Sequence, residues 1–71
     1  MMYVVIRTEY FEGVLDDFSV ISVCKTVEEA IKFVDEYANS MGEKTNGNGV
    51  FTSIQGDSVI QLYYNAVLMY E

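Results

Sequence analysis

Hydrophobic and polar positions follow two different periods along this chain, and the switches between them mark five elements. MYVVIRTEYF (2–11) is rich in β-branched and aromatic residues, which suit the pleated surface of a strand. EGVLDD (12–17) offers a glycine and paired aspartates, the chemistry of a turn, and FSVISVC (18–24) repeats the strand character. The short connection predicts an antiparallel hairpin. The period then changes. Val27, Ala30, Ile31, Val34, Tyr37, Ala38 and Met41 are spaced as one stripe of a helix. TVEE (26–29) opens that stripe with a capping box, in which Thr26 accepts from the Glu29 amide and Glu29 reaches back to the Thr26 amide. Gly42 stands where a C-cap glycine belongs, so a helix is predicted over 27–41.

EKTNGNG (43–49) reads as a flexible polar connector. VFTSIQ (50–55), Gly56-Asp57 and SVIQLYYNAVLMY (58–70) read as a second hairpin around a two-residue turn. On that register Phe51 faces Leu62 and Ser53 faces Ile60. A single helix has one apolar stripe to bury, so β-β-α-β-β predicts an α+β fold: a four-stranded, mainly antiparallel sheet with the helix across one face. The strand order stays open between two adjacent hairpins and a split arrangement with first and last strands together.

The last strand carries the most information. Ile60, Leu62, Tyr64, Ala66, Leu68 and Tyr70 form a wholly apolar row at strand period, expected to face the helix. The opposite row, Val59, Gln61, Tyr63, Asn65, Val67 and Met69, is mixed, whereas a strand covered on one side only alternates apolar with polar. The strand is also too long for a six-residue partner. Its surplus either pairs with the equally long first strand or makes an intermolecular contact. Tyr63, Val67 and Met69 are the candidates for self-association.

Composition sharpens this picture. With 71 residues the chain forms one small domain, and such domains bury only ~60% of their unfolded surface. Disulfides cannot compensate, because Cys24 is the one cysteine, and with no histidine a zinc site is not expected. The apolar fraction of 51% excludes disorder and calls for a dense core or an interface. No stretch reaches the ~20 apolar residues of a membrane span. MMYVVIRTEY lacks the features of a signal peptide, and a free cysteine suits a reducing compartment, so a cytoplasmic location is expected.

Chemistry is sparse. Without histidine there is no imidazole base and no Ser-His or Cys-His nucleophile. Cys24 lies in an apolar strand and reads as a small buried hydrophobe. Asp16-Asp17 and Glu28-Glu29 read as solvated charge, the second pair also favouring the helix N-terminus. The KTNGNG loop fails as a calcium loop, since Lys44 and Gln55 would fill its first and twelfth positions. It lacks the G-K-[ST] of a phosphate cradle. Arg7, Lys25, Lys32 and Lys44 are scattered, so direct nucleic-acid binding is not expected. No catalytic residue, cofactor or metal is assigned.

What remains is a net charge of −7. Glu28, Glu29, Asp35 and Glu36 lie off the apolar stripe of the helix, and Glu12, Asp16 and Asp17 cluster at the first hairpin. A negative surface of this kind complements a basic protein, one that handles nucleic acid. The expected function is therefore a non-catalytic, acidic protein-binding module. As a class it resembles the small inhibitors that bacteriophages direct at the basic sites of host nucleases, CRISPR effectors or polymerases, which would place it in the host cytoplasm. The alternative is a small structural or regulatory protein that forms a homodimer through its sheet edge, its charge serving solubility.

Overall fold

In the computed structural model, which describes residues 1–68, the five elements are β1 (Met2–Phe11), β2 (Val14–Cys24), α1 (Val27–Ser40), β3 (Phe51–Gln55) and β4 (Ser58–Val67). The strands form one antiparallel sheet in the order β2-β1-β4-β3, and α1 packs across one face. The split arrangement is thus the one adopted. β1 pairs with β4 along its whole length, from Met2 opposite Val67 to Phe11 opposite Ser58. The surplus length of β4 is used inside the sheet.

The second hairpin has the register its two-residue turn dictates, Phe51 opposite Leu62 and Ser53 opposite Ile60. The first differs from expectation. Its turn is Glu12-Gly13 alone, and the chain from Val14 to Asp17 already belongs to β2. Both turn residues have positive φ (51° and 80°), which the I′ hairpin turn requires; glycine adopts this readily and Glu12 accepts it at some cost. β2 is two residues longer than the segment of β1 it pairs with. It absorbs the excess in irregularities between Val5/Ile6 and Glu9/Tyr10, where Ile21 and Asp16 have no partner of their own.

The core lies between helix and sheet. Ala30, Val34 and Ala38 descend onto Val5, Cys24, Phe51, Ile60 and Leu62, all buried, with Tyr3, Ile21, Phe33, Tyr37, Met41 and Tyr64 closing the sides. The small alanines let the helix approach closely. Phe33, off the predicted stripe, is drawn in because α1 covers β2 as well as β1 and β4. The predicted helix-facing row of β4 is buried only in part. Ile60 and Leu62 are core and Tyr64 is half-buried, whereas Ala66 and Leu68 are exposed. α1 lies more over β1 and β2 than over β4, which leaves the end of that row uncovered. Met69 and Tyr70 lie outside the described residues.

Thr26 caps the helix as expected, its hydroxyl accepting from the Glu29 amide at 3.2 Å. The returning bond differs: the Glu29 carboxylate accepts from the Lys25 N–H, one residue earlier. At the other end the Gly42 and Glu43 amides reach back to Asn39 and Ala38, the paired bonds of a Schellman motif. The loop that follows is no free connector. The Thr45 hydroxyl donates to the Asp35 carboxylate and accepts from the Gly47 amide, and the Asn48 side chain accepts from the Val50 amide. Gly49 is buried with φ +77°; a Cβ there would lie 2.7 Å from Tyr64 Cδ1 and 3.1 Å from Ile31 Cγ1. The loop is pinned into the gap that Tyr64 and Ile31 leave.

Candidate functional site: acidic ends and an open apolar face

Because β1 is antiparallel to both neighbours, the two hairpin turns fall at the same end of the sheet. The Glu12 amide donates to the Asp57 carbonyl at 2.9 Å, joining them. This end gathers Glu12, Asp16, Asp17 and Asp57. Nothing in the sequence marks Asp57 for this group, since only the β1–β4 pairing places its turn beside the first. Asp16 and Asp17 are strand residues rather than turn residues. Asp17 stands opposite Glu9, and Arg7 bridges the two like charges, at 2.9 Å from Glu9 and 3.3 Å from Asp17.

Arg7 is the one cation of the sheet. Its Nε also donates to the Tyr37 hydroxyl of α1 at 3.2 Å, which ties the helix to the centre of the sheet. Partial burial works against its charge. The hydrogen bonds to Tyr37 and Glu9 outweigh that, and its pKa lies above the ordinary arginine value.

The helix acids form a separate group. Glu28 and Glu29 sit in the first turn, at the far end of the sheet from the hairpin turns, a distance of roughly the ~33 Å of a ten-residue strand. Glu36 is exposed beside Lys32, 3.9 Å away. Asp35 is half-buried and engaged by Thr45, so it acts as a tether for the loop rather than as free surface charge. The two acidic patches expected, on the helix face and at the first hairpin, are thus separate groups, with Asp35 of the one and Asp17 of the other already engaged.

The other face of the sheet carries no element at all among the described residues. Register assigns to it Met2, Val4, Ile6, Thr8 and Tyr10 of β1; Leu15, Phe18, Val20 and Val23 of β2; Thr52 and Ile54 of β3; and Val59, Gln61, Tyr63, Asn65 and Val67 of β4. No acidic or basic side chain stands in these rows. Tyr63 and Val67, the expected self-association residues, are here; Met69 lies outside the described residues. The apolar row of β2 is hard to see in the sequence, because its alternation breaks at Ile21 and its first four residues look like part of the turn.

A shallow, open depression of about 310 Å³ lies between the 44–48 loop and β3, lined by Lys44, Thr45, Asn46, Asn48, Val50, Phe51 and Thr52. It brings together no nucleophile and base. Among the described residues no three acidic or cysteine side chains are placed to hold a metal ion, and no helix is long and apolar enough to cross a membrane. Cys24 is buried with its sulfur 3.7 Å from the Ser22 hydroxyl, as a small core residue. Comparison with protein-family models, with curated proteins and with solved structures finds no match.

Proposed function

We propose that this protein is a non-catalytic binding module that presents its turn-bearing acidic end to a basic, nucleic-acid-handling protein in the cytoplasm. The observation that carries this reading is the joining of the two hairpin turns through Glu12 and Asp57. It collects four carboxylates, of which Asp17 is paired with Arg7, while on the helix Glu36 is paired with Lys32. Exposed like charges gathered on rigid turns attract an oppositely charged surface at a distance and orient it. An inhibitor directed at a nucleic-acid site is the class of protein that would use such an end.

The test is capture from bacterial lysate on immobilised protein at low and at high salt, with wild type and with Glu12→Lys/Asp57→Lys. Both substitutions are at exposed turn positions and leave the core untouched. A partner held at low salt, released at high salt, displaced by excess DNA or RNA and lost in the double variant is the expected result. A partner retained by the double variant at high salt would remove the acidic end from the interaction.

A further inference from the structure

The chain places its described charged residues on the helix side, the turns, the loops and the edge irregularity at Asp16, and leaves one broad face of the sheet without any. We propose that this face is the interface of a homodimer, in which two copies stack sheet on sheet with their helices outward.

Four observations carry the assignment. The first is exposure. Phe18 and Val23 of β2 are each 56% exposed, Ile54 of β3 is 75% exposed, and Leu15, Val20 and Val67 are also uncovered. Scattered apolar residues on a surface are ordinary, but these lie on one side of one sheet and are contiguous with Val4, Ile6, Tyr10, Val59 and Tyr63.

The second is area. Three strands of about ten residues and one of five, at ~3.3 Å per residue and ~4.8 Å per strand, present ~550 Å² on each copy. Two copies offer ~1,100 Å² of flat area before side-chain relief is counted, which reaches the ~1,000–1,200 Å² where specific interfaces begin.

The third is what protects the edges. β2 is kinked by unpartnered Ile21 and Asp16, and β3 is five residues long, both devices that discourage addition of a further strand. The edges are guarded and the face is not, which favours stacking over edge-to-edge pairing.

The fourth is charge. A foreign partner would have to be uncharged over this whole area, whereas a second copy meets that condition automatically, and a two-fold stack is self-complementary. Two layers ~10 Å apart with strands nearly aligned make the ordinary sandwich. The acidic groups then stay at the rim and outside.

This inference does not rest on the acidic-end reading, and salt separates the two. Copies carrying −7 each repel, so added salt should tighten an apolar dimer while it loosens a charge-driven partner. Sedimentation equilibrium from low to high micromolar concentration, at low and high salt, reads the first. Wild type should be dimeric at the upper concentrations and more so at high salt. Phe18→Glu and Val20→Lys, each at a position more than half exposed in the single copy, should raise the dimer dissociation constant at least ~tenfold with an unchanged circular dichroism spectrum. Wild type that stays monomeric throughout overturns the proposal and gives the face to another protein. Variants that dimerise like wild type also overturn it, because the contact would then be at an edge.

Discussion

Replacing Gly49 by alanine puts two separable penalties on one position. At φ +77° an L-residue is in the left-handed region, which costs ~1–2 kcal/mol. The new methyl would also stand 2.7 Å from Tyr64 Cδ1. That ring also packs edge-on against Tyr3, with centroids 6.3 Å apart and planes at 69°, so moving it aside disturbs a second contact. Overpacking of this kind costs ~1–3 kcal/mol, so Gly49→Ala should lose about 2–5 kcal/mol in all. A domain of 71 residues has roughly 4–11 kcal/mol to lose at ~0.05–0.15 kcal/mol per residue, so much of its stability is at stake. Gly47→Ala is the control. Its φ of +72° is equivalent, but nothing lies within 4 Å of the point its methyl would occupy, and it should lose only the ~1–2 kcal/mol backbone cost. Urea unfolding followed by circular dichroism, at one fixed protein concentration, compares the pair. In a Tyr64→Ala background the penalty at Gly49 should fall toward that at Gly47, since only the Ile31 Cγ1 contact at 3.1 Å is left. Equal midpoints for Gly49→Ala and Gly47→Ala in the wild-type background would refute the close approach and with it the pinned loop.

Two smaller perturbations test neighbouring claims. The Thr8 hydroxyl, on the open face at 3% residue exposure, is the one buried side-chain oxygen without a partner among the described residues; Thr8→Val should raise stability by ~1 kcal/mol, and a lower urea midpoint would mean the hydroxyl is in fact bonded. Thr26→Ala should cost ~1 kcal/mol through loss of the cap to the Glu29 amide, with Thr26→Asn close to wild type, and thermal melts showing no loss for alanine would remove the cap from the account of the helix.

The hairpin of β3 and β4 is legible down to its register because Gly56-Asp57 is a two-residue turn, and such a turn fixes which residues oppose one another. The helix is legible because its stripe, cap and stop agree. The turn of the first hairpin is not, for a physical reason. Asp16 and Asp17 resemble turn residues, yet Asp16 falls at an irregularity of an edge strand and Asp17 is satisfied by Arg7, so neither ends the strand. Local propensity gives way to long-range pairing. The same holds for Gly49, whose burial depends on Tyr64 fifteen positions later. Asp57 becomes part of the acidic end only through contacts made across the whole chain.

The pairing of β1 with β4 also sets a timetable for the protein's own synthesis. These strands become the middle of the sheet, yet Ser58 lies 47 positions after Phe11, a stretch that a ribosome adds in roughly 2–9 s at ~5–20 residues per second. A hairpin forms in ~1–10 μs, so β1 and β2 can associate long before β4 exists. For those seconds the strand destined for the interior is an edge, MYVVIRTEYF, with β2 on one side and nothing on the other. Such a pause is when a nascent chain meets chaperones or other copies of itself. Once β4 is complete, no proline isomerisation delays closure, because the chain contains no proline.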